Sequence, residues 1–316
     1  MKKYIDFIMF SFATILLAIV MVLLTFIGIT KYPKDVFKSS YQSLIQDKFN
    51  ILVNTNAPKI IMISGSSSSF GLDQKMLEDA TGYKVANLGL HAGFGAVFYS
   101  ELAKANINEG DIVLLGYEYN WFTEGAFENL GIDLVMSGID SNISMYKYIP
   151  INKYPQLLGY LFTYANKKKN YQPATGIYSR EAFDEETGQM IWPREDAMEY
   201  NVQIDGKVDI TDSVISEESV KYLTGFKNYI EEHGAKVVFV APPLLKEAVA
   251  CDYGEFTKLK EQEEEKIGIP YISNPVEYFF SKELMSNAVY HCNNTGEKHR
   301  TELLIKDLKE SGICSF

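Results

Sequence analysis

Apolar and polar positions follow two different rhythms along this chain. Residues 7–29 run without a charged side chain, enough to cross a hydrocarbon core as a helix, which takes about 20 residues. From residue 59 onward, short apolar runs bounded by Gly, Ser and Pro alternate with amphipathic stretches. Lys59-Ile60-Ile61-Met62-Ile63, 85–89, 111–116, 236–241 and 270–272 read as strands, and the third is apolar after Asp111, as in a parallel sheet buried on both faces. Between them lie helical patterns. Residues 72–80 place Leu72, Met76, Leu77 and Ala80 on one face, and Gly82 closes the helix. Residues 96–105, 217–233 and an acidic stretch at 255–267 follow, and Thr295 is expected to cap a last helix running through Leu308. Strand, helix, strand, helix, strand is the signature of βαβ units, with right-handed crossovers. The expected fold class is α/β: a three-layer α/β/α parallel sheet with an N-terminal transmembrane helix and a mixed insertion.

The rhythm divides the chain into an anchor at 1–30, a polar juxtamembrane stalk at 31–58 with a helix near 36–53, and an α/β domain at 59–316. An insertion at 121–214, rich in Tyr, Asn and Gly, breaks the α/β pattern and is too long for a bare loop. Within it, residues 188–193 and 200–206 are expected to pair as a hairpin. The apolar N-terminal run is followed by no small-x-small cleavage site, so it reads as an uncleaved anchor rather than a signal peptide. Lys2 and Lys3 precede it; Lys31, Lys34 and Lys38 follow it. Counting positive charges leaves the orientation open, and the behaviour of export anchors favours an extracytoplasmic domain.

Composition removes some functions. A formal charge of −11 over 316 residues argues against nucleic acid, whose phosphates need a basic patch. Lys167-Lys168-Lys169 reads as a solvated face. Cys251, Cys292 and Cys314 show no metal-ligand spacing and read as reduced thiols, with one disulfide as the alternative. The four histidines are scattered, so no metal is expected, and the glycine turns lack the Lys-Ser/Thr of a phosphate loop. No cofactor is expected.

Candidate chemistry gathers at strand ends, where open α/β sheets bind ligands. The blocks are Gly65-Ser66-Ser67-Ser68-Ser69-Phe70-Gly71, then Asn87-Leu88-Gly89-Leu90-His91-Ala92-Gly93, then Gly116-Tyr117-Glu118-Tyr119-Asn120. Far along the chain stands Tyr290-His291-Cys292-Asn293-Asn294-Thr295-Gly296. A serine after a strand and a distant histidine make a nucleophile and a base if the fold joins them. Each residue also has a structural reading: serines satisfying backbone groups in a tight turn, glycines permitting close packing, Glu118 pairing with a buried cation, His91 bonding locally.

These blocks resemble the SGNH (GDSL-like) hydrolase superfamily, whose first block has the form Gly-Asp-Ser-x-x-x-Gly. The spacing from Gly65 to Gly71 matches, with Ser66 in place of the aspartate. The resemblance puts the nucleophile at Ser67, with Ser66 the alternative if the turn shifts by one residue. It makes His291 the base and Gly89 an oxyanion donor, within a flavodoxin-like sheet. The N-terminal helix, the Gly-Ser-Ser variant and the His-x-Asn-x-x-Gly block are similar to membrane-anchored members of bacterial envelope acylation, the alginate-type O-acetyltransferases and the lipoteichoic-acid D-alanylation protein. That branch implies O-acylation of an exported polysaccharide or glycopolymer beside a multi-spanning membrane-bound O-acyltransferase. It also leaves carbohydrate deacetylation and a degenerate accessory protein as alternatives. Two positions depart from the pattern. Ala288 stands where an acid usually precedes the histidine by three, with Asn287 before it. Glu118 stands where an asparagine donates to the oxyanion, leaving Asn120 as a substitute donor. Glu118, His91 and Asn293 complete the candidate set.

Overall fold

The computed structural model describes residues 2–122, 125, 127 and 129–314; Met1, the first residue of the expected anchor, lies outside them. Helices and strands follow in the order α1 (Lys2–Lys31), α2 (Leu44–Asn54), β1 (Lys59–Ser64), α3 (Ser66–Ser69), α4 (Gln74–Thr81), β2 (Lys84–Asn87), α5 (Ala96–Ala103) and β3 (Ile112–Gly116). Then come α6 (Ile132–Ile139), α7 (Tyr154–Asn170), α8 (Val202–Asp205), α9 (Glu217–Glu232), β4 (Lys236–Phe239), β5 (Leu244–Leu245), α10 (Tyr253–Ile267), β6 (Phe279–Phe280) and α11 (Asn294–Ser311). The chain is mixed α/β, with a parallel sheet in the order β2-β1-β3-β4. A single parallel bridge from Phe239 to Tyr271 continues the sheet beyond β4, where a fifth strand was expected.

Side chains along each strand alternate between two apolar clusters, as period-two geometry requires. Ile61, Ile63, Val113, Leu115, Val237 and Phe239 meet residues of α2, α5 and α9. Ile60, Met62, Leu114 and Val238 meet Leu77 of α4 and Leu304 and Leu308 of α11. Both faces are therefore covered, and the strands are apolar runs rather than alternating ones. Because β1, β2 and β3 are parallel and in register, their C-terminal ends at Ser64, Asn87 and Gly116 open onto one edge. At the opposite edge a buried ion pair joins the starts of β1 and β3: Lys59 Nζ lies 2.6 Å from Asp111, and neither side chain is exposed. The Asp111 carboxylate also accepts the amides of Lys59 and Asn108, each at 2.9 Å.

α1 is long and apolar enough to cross a membrane, and its last turns are held by the rest of the chain. Phe26 meets Tyr146 edge to face with ring centroids 5.1 Å apart. Lys168 Nζ donates to the carbonyls of Ile29, at 3.3 Å, and Thr30, at 3.0 Å. A cation on the last carbonyls of a helix is favoured by the helix dipole. Lys168 is itself buried against Asp140 at 2.9 Å, so the middle of the lysine run is not solvated. Residues 31–58, expected as a stalk, carry α2, whose Leu44, Ile45 and Leu52 are fully buried in the larger cluster.

The insertion holds more helix than its sequence suggests. α7 buries Leu157, Leu161, Tyr164 and Lys168, a helical stripe in which a tyrosine and a lysine occupy core positions and so mask the period. The expected hairpin does not form. Phe183 pairs with Met190 instead, across a turn in which Asp184 Oδ1 accepts the amides of Glu186 and Thr187 and Gly188 adopts φ +66°. Residues 201–205 close on themselves, with Asn201 Oδ1 accepting from Gln203 N and Asp205 from Asn201 N. Such local side-chain bonds compete directly with strand pairing. The last helix is capped by Asn293, whose Oδ1 accepts from Gly296 N at 2.9 Å, rather than by Thr295.

Replacing Asp111 by Ala leaves Lys59 charged and buried without a partner, which costs about 3–5 kcal/mol. Denaturant unfolding of the detergent-solubilised chain should show that loss; a change within error of wild type would refute the assignment.

Candidate active site

Four consecutive serines form the single turn α3 immediately after β1, and their hydroxyls have different fates. Ser68 Oγ bonds Asn87 Oδ1 at 2.8 Å and makes a short contact with Ser64 Oγ. Ser69 Oγ donates to the Gly89 carbonyl. Ser67 is fully buried. Only Ser66, the first residue of the turn, stands half-buried at the rim, and its Oγ lies 2.8 Å from His291 Nε2. The structure thus pairs His291 with Ser66, the alternative nucleophile, and not with Ser67. The shift by one residue follows from the helical turn, which sends the second hydroxyl inward.

His291 sits just before α11 with its ring stacked on Phe70, centroids 3.9 Å apart and planes 9° from parallel. Its Nδ1 is 2.8 Å from Asn287 Oδ1, and Asn287 Nδ2 donates to Tyr178 Oη at 2.9 Å. With the amide nitrogen spent on Tyr178, the amide oxygen faces the imidazole and accepts its Nδ1 proton. Nε2 is left as the acceptor for the Ser66 hydroxyl, the tautomer that a general base needs. The orienting group is therefore four residues before the histidine and neutral, while Ala288 at the usual acid position offers the imidazole no side-chain acceptor and only its carbonyl accepts the His291 amide, at 3.0 Å. Burial, then the positive charge of Arg194, then His91, push the His291 pKa down from 6.5 to about 3. An Asn in place of a carboxylate supplies no charge to reverse that shift.

The turn is held from both sides. Glu118, buried at the end of β3, accepts the amides of Gly65 at 3.1 Å and Ser67 at 3.0 Å. A Cβ on Gly65 would lie 2.5 Å from both Glu118 carboxylate oxygens, so glycine is required here for close approach rather than for an unusual φ. Burial raises the Glu118 pKa, and these amide bonds oppose the rise. From the other side Arg300 of α11, fully buried, donates to the carbonyls of Ser67 at 3.3 Å and Gly71 at 3.0 Å. Its charge also interacts with that of Glu118. Glu118 is thus a brace for the turn, not an oxyanion donor.

The remaining candidates fall into place around this core. The Gly89 amide, expected to face an oxyanion, is taken by Asn87 Oδ1 at 3.0 Å. The reason is local, since Asn87 ties its own loop to the serine turn, its Nδ2 also donating to Ser68 O at 3.0 Å. His91 Nδ1 accepts the Gly93 amide at 2.9 Å, so it caps a short turn, and it lies near enough to His291 for the two imidazoles to interact electrostatically. Asn293 is spent on capping α11 and on the Glu283 carbonyl at 2.7 Å. Asn120 is half-buried in a short turn just beyond Glu118. Among the described residues, no cluster of three or more His, Cys, Asp or Glu is placed to hold a metal ion.

Two site residues come from the insertion and were not foreseen. Tyr178 fixes the Asn287 amide. Arg194 donates to the carbonyls of Phe70 and Cys292 and pairs with Glu297 at 2.6 Å, stitching the insertion onto the residues flanking both Ser66 and His291. No spacing rule links either to the motif blocks. Asn287 was visible four residues before His291, where helical or turn geometry allows contact.

No family model matches this chain, and no curated protein matches it. Among solved structures, the crystal structure of protein YxiM from Bacillus subtilis is similar at 12% sequence identity with a TM-score of 0.36. The match covers 83% of this chain and 59% of that one, so the chain spans well under two thirds of its neighbour. A likeness at that level assigns no function.

Two outcomes are expected with a fluorophosphonate probe. Ser66→Ala abolishes labelling, whereas Ser67→Ala retains it; equal labelling of wild type and Ser66→Ala would remove Ser66 as nucleophile. Because His291 is neutral at every pH above about 3, the labelling rate should show no inflection near 6.5. Stability behaves differently. The unfolded imidazole takes up a proton near 6.5 and the folded one does not until about 3, so the contribution of His291 is complete above pH 6.5 and is lost progressively as the pH falls below it. Thermal unfolding midpoints between pH 4 and 8 should therefore show a steeper acid loss for wild type than for His291→Gln.

Proposed function

We propose that this chain is a membrane-anchored, extracytoplasmic SGNH-like O-acyltransferase that acylates a hydroxyl of an exported polysaccharide or envelope glycopolymer, acetyl being the simplest group. The observation that carries this reading is the 2.8 Å contact between Ser66 Oγ and His291 Nε2, with Nδ1 held by Asn287, at the C-terminal edge of a parallel sheet. A three-layer α/β/α arrangement accords with the two covered faces of the sheet.

In this reading Ser66 Oγ attacks the donor's acyl carbon as its proton passes to His291 Nε2. The tetrahedral intermediate collapses, the donor's leaving group departs with that proton, and Ser66 is left as an ester. An acceptor hydroxyl then gives its proton to His291 and attacks the ester carbonyl, and Ser66 Oγ leaves with the proton returned. The Ser66 amide and the Asn120 side chain are the oxyanion donors this reading invokes. A membrane-supplied donor, delivered by a multi-spanning O-acyltransferase, suits the position of the site. Tyr41, whose ring lies 5.7 Å from Tyr178 and 6.4 Å from Phe70, is ten residues beyond the end of α1, at most about 36 Å of chain. Water in place of the sugar hydroxyl would make the same residues a deacetylase.

A second reading has its own support. The amides of Gly65, Ser67 and Gly89 are all committed to internal acceptors, and losing one oxyanion donor costs about 10²–10³ in turnover elsewhere. On that ground the chain would be an accessory protein that holds a glycan or an acyltransferase without a covalent step.

Incubation with p-nitrophenyl acetate, followed by intact and peptide mass analysis, separates the two. The enzyme reading expects an acetyl adduct on the Ser66 peptide, absent from Ser66→Ala. Asn287→Asp, isosteric and able to accept the Tyr178 hydroxyl where Asn287 Nδ2 donates to it, should raise the His291 pKa and speed acylation at least about tenfold, since the reverse change in a serine protease triad costs about 10⁴. Absence of an adduct in both wild type and Asn287→Asp would leave the accessory reading.

A further inference from the structure

The region that grips the end of α1 differs in charge and surface from the rest of the chain. Between Asp140 and Glu181 there is no acidic residue, and five lysines lie in that interval, within a chain of net charge −11. Lys167 and Lys168 are paired with Asp133 and Asp140, whereas Lys147 and Lys169 are exposed. The same region presents bare apolar side chains: Ile151 is 86% exposed and Phe162 79%, with Leu158 also exposed. Leu158, Phe162, Ala165 and Lys169 fall on one stripe of α7, spaced i, i+4, i+7 and i+11. It flanks the buried stripe that ends in Lys168 on the carbonyls of Ile29 and Thr30.

That contact fixes the location of the stripe relative to the span. The segment after α1 folds back on α7, with Phe37 stacked 5.7 Å from Tyr164 and edge-on to Tyr171 at 4.7 Å. Where α1 leaves the hydrocarbon, α7 and residues 143–148 are its neighbours. Exposed apolar side chains beside exposed lysines, with half-buried tyrosines at 148, 154 and 160, are the composition of a segment seated at a membrane–water boundary.

We propose that the Leu158–Phe162 stripe of α7 and the adjoining Ile151 turn rest on the bilayer surface, with Lys147 and Lys169 directed to anionic phospholipid headgroups. α7 is then a second, interfacial contact that fixes the tilt of the domain on its anchor. This inference rests on α1 spanning a bilayer and is independent of the chemistry assigned to Ser66.

The test uses the full chain in nanodiscs of phosphatidylcholine and phosphatidylglycerol, with and without brominated acyl chains. Emission from Phe162→Trp, corrected for the native Trp121 and Trp192, is expected to be quenched by the brominated lipid. Emission from Ile204→Trp, an equally exposed position outside this region, is expected to be unaffected. Lys147→Glu with Lys169→Glu, or nanodiscs of phosphatidylcholine alone, should weaken the Phe162→Trp quenching. Equal Phe162→Trp emission in brominated and unbrominated discs overturns the proposal and would leave the stripe to a protein partner. Quenching that is indifferent to both lipid charge and the lysine changes overturns the headgroup assignment.

Discussion

The site depends on one carboxylate. Glu118, carried out of the sheet at the end of β3, accepts two backbone amides of the turn that follows β1. Hydrogen bonds to a charged acceptor contribute about 1.5–3 kcal/mol each, and here they join two neighbouring strand ends. Arg300 grips the carbonyl side of the same turn, so a buried acid and a buried base hold opposite polarities of one short piece of backbone. Within that clamp the orientation of every serine is set, and only Ser66 is delivered to the rim. Gly65 follows from the same constraint, since any side chain there would collide with the carboxylate.

The clamp has a chemical consequence. Amides that could steady a developing oxyanion are used to steady the turn, and the histidine facing Ser66 is buried, near the Arg194 cation and oriented by a neutral amide. Such an imidazole is always ready to accept a proton but gains little by doing so. Geometry and driving force therefore pull in opposite directions. Rigid placement of Ser66 and His291 suits the proposed acyl transfer, whereas the depressed basicity of His291 suits a slow reaction or one that awaits a partner or substrate contributing charge.

α1 is part of this arrangement rather than an appendage. Lys168 closes the last carbonyls of α1 and is itself neutralised by Asp140. The chain leaving α1 packs on α7 through Phe37 and reaches the site through Tyr41, against Phe70 and Tyr178. The insertion that binds the end of α1 also supplies Tyr178 and Arg194 to the site.

Much of the architecture was legible in the residues. The apolar run at 7–29, the apolar strands and the glycines closing helices specify α1, the parallel sheet and most of its helices, because burial and turn formation act over a few neighbouring positions. The strand-end serine block and a late histidine were legible for the same reason: the sheet places strand ends on one edge whatever the loops do. What the sequence could not decide was anything set by contact between distant segments. Which of four chemically identical serines faces His291 depends on the rotation of a single turn, fixed by Glu118 and Arg300 from 51 and 233 residues away. Asn287 as the orienting group, Tyr178 and Arg194 as supports, and Lys168 as a buried cap were hidden because their pattern is that of ordinary surface residues, and only packing removes them from water. Local periodicity determined the elements and the edge at which the site opens; long-range hydrogen bonds, which leave no period in the chain, decided which atoms meet there.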